Sequence, residues 1–241
     1  MSHHAPGPAS GLASDHASGH AAAHAAGDTN VGERPEGLGD ALPRVARSAP
    51  APVRTVQVLE GDTKLDGVSA VLRAVSAPLG REPLRSSLLG AKLGHALHPL
   101  MTDLPIGLWT SAVVVDLFRP RSGARTAQFL VGAGTLAVVP TALTGLAEWR
   151  ETSEPETRLG SAHAVLNAVG GTAMAASWWY RRSGRHATGV LLSLVGAGVV
   201  GASGFLGGHL STVRKVGSRH TAFTDDGVGP ELSRPAVAAA L

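Results

Sequence analysis

The sequence predicts an all-α protein, an integral membrane four-helix bundle with a disordered N-terminal tail. Three observations carry that expectation. Four apolar stretches, at about 104–118, 127–147, 162–180 and 187–210, are separated by short polar turns. A bilayer core about 30 Å thick needs about 20 apolar residues at 1.5 Å each; the second and fourth stretches meet that length and the other two approach it with their flanks. Ionisable residues collect at the ends of the stretches rather than inside them. Residues 1–60, by contrast, hold few large apolar side chains, so burial cannot offset the entropy of ordering them.

Each element follows from local chemistry. The tail is rich in Ala, Gly and His, and the spacing of His3, His4, His16, His20 and His24 matches no fixed metal geometry. Residues 61–101 read as amphipathic lead-in helices. Leu65, Val68, Val71, Leu72 and Val75 share one helical face, and Pro78 and Gly80 end it. A second segment, 84–93, carries Arg85 and Lys92; such helices suit a membrane surface or pack on the bundle. The bundle occupies 102–212. Pro105 fits a first helical turn and Asp103 an N-cap. Pro140 should kink the second helix, with Thr141 or Thr144 serving the carbonyl it frees. Trp149 at one end and Trp178, Trp179 and Tyr180 at the other fit interfacial belts. Gly204 and Gly208 form a small-xxx-small pair suited to packing within the bundle. Residues 213–241 read as a polar tail.

Composition narrows the chemistry. With no cysteine, the chain makes no disulfide, thiolate nucleophile or Cys-ligated cluster. The formal charge of +3 comes from arginines spread over loops and tails, with no basic stripe interleaved with aromatics, so nucleic acid is not an expected partner. The first residues lack the basic start and apolar run of a secretory signal. Together these favour the bacterial cytoplasmic membrane, with lipid as the surrounding partner and both termini in the cytoplasm. No nucleophile–base pair or phosphate-binding loop assigns an enzymatic reaction.

Helices that cross in alternation bring the starts of the first and third beside the ends of the second and fourth. Those ends carry His95, His98, Glu148, His163 and His209. Imidazole and carboxylate near a bilayer are costly unless bound or paired, so the set is a site hypothesis. His98, His163 and His209 are the expected cofactor ligands, with haem b held by two histidines from different helices. A non-haem metal ion would draw on His95, His98, Glu148, His163 and His209. Asp103 and Asn167 would orient the imidazoles, Asn167 lying one turn from His163. Each residue also has an ordinary role open to it; Glu148, for example, could pair with Arg150 or Arg158. Asp116 stands apart, either as an ion-pair partner of Arg119 or Arg121 or as a proton carrier. The expected function is a membrane redox or metal-binding protein. The alternative is a non-catalytic anchor or assembly subunit for a soluble redox partner. A transporter is disfavoured, since four helices are few and no inverted repeat is evident.

Four motifs also carry a likeness. Gly94-His95, His98-Pro99, Asp103, Pro105, Gly107 and Trp109 form the first; Thr144-Gly145 with Glu148-Trp149, His163 with Asn167, and Gly207-Gly208-His209 follow. Together, over roughly 63–225, they resemble an uncharacterised family of bacterial membrane domains, a domain of unknown function. The resemblance implies a four-helix membrane unit, found alone or ahead of a Rieske iron–sulfur domain. Residues 218–226 are similar to the linker that precedes that domain in fused members. A Rieske partner of this chain would be a separate polypeptide, because the chain has no cysteine to hold the cluster. The resemblance supplies no activity beyond that association with electron transfer.

Overall fold

The structure is a computed structural model that describes residues 49–220. The expected N-terminal tail up to residue 48 and the last part of the polar C-terminal tail lie outside the described residues. Among the described residues there are seven α-helices and no strand. Short helices α1 (Ala51–Gly61), α2 (Leu65–Val75) and α3 (Leu84–Leu88) come first. Four long helices follow: α4 (His98–Phe118), α5 (Ala124–Arg150), α6 (Glu156–Arg182) and α7 (His186–Thr212). Three of them, α4, α5 and α7, are long and apolar enough to cross a membrane. Large apolar side chains stand on their outer faces, Phe118 at 77%, Leu136 at 75% and Phe129 at 71% exposed, which suits a lipid environment.

Several boundaries differ from the sequence expectation. α4 starts at His98, with Pro99 in its first turn where no backbone donor is needed. Asp103 therefore sits inside the helix rather than capping it. Pro105 lies inside α4 and cannot donate to the Met101 carbonyl one turn back. The Thr141 hydroxyl of α5 lies 2.9 Å from that carbonyl and shares its proton with Ala137 O of its own helix, at 2.8 Å. Thr144 likewise bonds within α5, to Pro140 O and Thr141 O. Residues 51–60, assigned to the tail by composition, belong to α1, whose Val56 is buried with Leu159, Leu206 and Leu210.

α4 pairs with α5, and α6 with α7, as two antiparallel hairpins built on one plan. His98 lies against Gly145, and Trp109 against Gly134. His163 lies against Gly207, and Met174 against Gly196. The steps along the chain from His98 to Trp109 to Asp116 equal those from His163 to Met174 to Arg181. The step from Gly134 to Gly145 equals that from Gly196 to Gly207. The repeat is parallel: α4 and α6 run the same way. Trp109, Ala112, Ala127, Val131 and Met174 form the central core where the hairpins meet.

The lead-in helices pack on the bundle and cap the end where α4 and α6 begin. Ser69 of α2 bonds Ser161 of α6 at 2.8 Å, and Arg158 grips Asp66 at 2.7 Å. Arg214, just past α7, holds Glu60 of α1 at 2.5 Å, and Arg85 of α3 holds Glu151 at 2.7 Å. Trp149 is 6% exposed, covered by the protein itself, and donates to Thr157 O at 3.0 Å. Gly204 and Gly208 meet no atom within 4 Å of a built Cβ, so the close packing falls to Gly196 and Gly207 instead.

Candidate functional site

Two histidines sit inside the capped end of the bundle. His98 Nδ1 lies 3.0 Å from the Thr141 carbonyl. A carbonyl only accepts, so Nδ1 carries the proton and Nε2 the lone pair. The ring fits because residue 145 is glycine; a Cβ there would stand 2.6 Å from His98 Cε1. His163 repeats the arrangement in the second hairpin. Its Nδ1 lies 2.8 Å from the Ser203 carbonyl, and a Cβ at Gly207 would stand 2.8 Å from its Cε1. The two rings differ at Nε2. The Asn167 amide lies 2.9 Å from Nε2 of His163, whereas no hydrogen bond among the described residues uses Nε2 of His98.

The other candidates point elsewhere. His209 is on the far side of α7 from Gly207, with Nε2 3.7 Å from Glu60 of α1. Two positions along a helix turn a side chain by about 200°, which takes His209 away from the pair. Glu148 is buried but neither Arg150 nor Arg158 reaches it. Its Oε2 accepts the Ser218 backbone N–H at 2.9 Å, and its Oε1 is 2.6 Å from the Ser218 hydroxyl. That hydroxyl also lies 2.5 Å from Leu89 O. The segment after α7 thus forms a strap, fixed further by His220 N–H on Gly94 O and by an isolated bridge between His95 and Arg219. His95 is exposed, its Nδ1 3.0 Å from Ala96 O. Asp103 is exposed and bonds neither buried histidine. Among the described residues no three His, Asp or Glu side chains come together so as to hold a metal ion. The five-residue metal set is therefore not assembled.

At the opposite end Asp116 meets Arg181, not Arg119 or Arg121. The guanidinium places Nη1 and Nη2 2.9 and 2.5 Å from the two carboxylate oxygens, both side chains being essentially buried. Ser177 accepts from its Nε and Ser193 from its Nη2. His186 Nε2 is 3.7 Å from Asp116. Arg181 was readable from the sequence only as one of three loop arginines. The signal that singles it out is its place in the repeat, matching Asp116 step for step from the paired histidines.

The motifs that build this end coincide with a family match over residues 94–220, from the strap's partner Gly94 to its last described residue. The chain belongs to the family described as Predicted membrane protein (DUF2231). The match takes in all four long helices of this DUF2231 chain and leaves α1 to α3 outside. No curated protein and no solved structure matches it.

Proposed function

We propose that this protein is a membrane-embedded redox protein that holds haem b, or another metal centre, between His98 and His163. The observation that carries the reading is His98 itself: Nδ1–H tied to the Thr141 carbonyl, ring seated on Gly145, Nε2 without a hydrogen bond among the described residues. A carbonyl on one imidazole nitrogen fixes tautomer and direction for the other, as in metal-bound histidines. His163 is the matching group of the second hairpin. Matching positions of α4 and α6 do meet across the bundle at the other end, where Asp116 reaches Arg181. To ligate, His163 needs the Asn167 amide to turn away from Nε2. Two neutral imidazoles would suit a haem iron as ligands but fall short of a four-ligand zinc site. When bound, the iron would supply one-electron transfer.

The test is an absorbance spectrum of the detergent-purified protein, air-oxidised and then dithionite-reduced. A Soret band is expected, lost in His98→Ala and in His163→Ala and kept in His209→Ala. A featureless spectrum from cells supplied with haem, together with no bound metal by elemental analysis, would overturn the reading.

A second reading, a non-catalytic anchor or assembly subunit for a soluble redox partner of Rieske type, has its own support. Both nitrogens of His163 and both oxygens of Glu148 are already engaged within the chain, as polar groups that join helices in lipid are. Under it, His163→Ala lowers stability and changes no spectrum.

We also read α6 as a fourth crossing of the bacterial cytoplasmic membrane, with both termini on the cytoplasmic side. At 27 residues α6 is as long as α5 and α7, between which it runs. The cysteine-free chain permits a direct check. Single cysteines at Ser153 and Ser183, which flank α6, should label from opposite sides, and labelling from one side sinks the fourth crossing.

A further inference from the structure

The two ends of the bundle differ in carboxylates: the capped end also has exposed cations outside any ion pair, such as Arg81 and Lys92, but acidic residues stand among them. At the capped end Arg85, Arg158 and Arg214 each face a carboxylate: Glu151, Asp66 and Glu60. Arg150 donates to Arg73 O and Ser76, and Arg73 lies over the Trp149 ring. At the other end the two turns carry Arg119, Arg121, Arg125, Arg182 and Arg185, all exposed and none in an ion pair among the described residues. Segments 117–126 and 179–188 contain no Asp or Glu. The one carboxylate nearby, Asp116, is consumed by Arg181.

Aromatics lie just inside this ring of charge. Arg182 stands over Trp178 and Arg185 over Tyr180, at 5.2 and 5.3 Å. Phe118 and Trp179 point outward, 77% and 64% exposed. Guanidinium groups above half-buried rings at the ends of membrane helices, with exposed rings beside them, suit headgroup depth. Arginine matches phosphate with paired N–H donors. Like charges gathered without carboxylates repel one another until an anion joins them.

We propose that the end of the bundle bearing these two turns is a binding surface for anionic phospholipid headgroups, with lipid phosphate on the arginines and acyl chains along Phe118 and Trp179. A soluble phosphate would use the arginines and leave the outward rings without a role; lipid uses both. Arginines that acted only to orient the chain during insertion would show no lipid preference afterwards.

The test uses the full chain in phosphatidylcholine vesicles containing brominated lipid, read by tryptophan quenching. Trp178 and Trp179 report from this end, while Trp109 and Trp149 are buried. At low salt brominated phosphatidylglycerol should quench more strongly than brominated phosphatidylcholine. The preference should weaken by about five-fold for each arginine changed to glutamine and fade at high salt. Arg182→Gln with Arg185→Gln gives an intermediate loss, and the five-fold lysine variant, which keeps the charge, should retain most of the preference and so guards against misfolding. Arg85→Gln at the capped end should change nothing. Equal quenching by the two lipids, or displacement of phosphatidylglycerol by inorganic phosphate at constant ionic strength, would overturn the proposal.

Discussion

One pair of equivalent positions in α4 and α6 is filled by His98 and His163, another by Asp116 and Arg181. The contrast teaches what equivalence permits. Opposite charges satisfy each other, so the Asp116–Arg181 pair is chemically closed, with two serines accepting further guanidinium hydrogens. Two identical neutral imidazoles, each with its proton already committed to a carbonyl, offer each other only lone pairs. Any donor to either lone pair must be a third neighbour. For His163 that neighbour is Asn167; for His98 the structure provides none among the described residues.

The largest expected effect tests closure. Arg181→Met leaves Asp116 buried without its partner and should cost about 3–5 kcal/mol, read by thermal unfolding in detergent. Adding Asp116→Leu should recover most of that loss. A single variant as stable as the parent would mean that the pair is not closed.

Glu148→Leu removes the two carboxylate acceptors of Ser218 and leaves only Leu89 O. It should cost about 1–3 kcal/mol and release the strap, seen as lost hydrogen-exchange protection at 216–220, while any haem spectrum persists. Protection that survives would show the strap held by Gly94 and Leu89 alone.

Gly145→Ala and Gly207→Ala sharpen the comparison between hairpins. Each new methyl must displace a histidine ring, 2.6 Å away in one case and 2.8 Å in the other, at a cost of about 1–3 kcal/mol. Similar losses would support equivalent seats; a loss confined to one would break the equivalence.

The smallest effect lies on the cap. The hydrogen bond and charge of Arg158 hold the Asp66 carboxyl below its usual range. Its folded pKa is depressed, so its contribution is present above the ordinary aspartate value and lost as pH falls through the folded one. Asp66 is at the surface, so salt should mask the effect. Hydrogen exchange of α2 across the acid range should show a slight loosening that Asp66→Asn abolishes.

The positions of the long helices were legible because apolar length is a one-dimensional property. The level of each polar residue along the bundle was legible for the same reason, and His98, His163 and their glycines do lie at one end. Rotation about each helix was not. His209 shares that level but faces Glu60, and Asp116 reaches inward to α6 instead of back to its own turn. The cap was half legible: the amphipathic face of α2 was evident, but the choice of bundle over membrane surface rests on distant partners such as Ser69 with Ser161. Val71 and Val75 remain exposed, so the pattern alone could not decide.

The proline in α4 has a consequence for how the chain enters the bilayer. Pro105 leaves the Met101 carbonyl without its intrahelical donor, and hydrocarbon offers no water to replace it. Thr141, from the next helix, lies within hydrogen-bond reach. α4 alone would carry a solvation defect into lipid; α4 beside α5 does not. The hairpin, rather than the helix, is the unit this sequence is suited to insert.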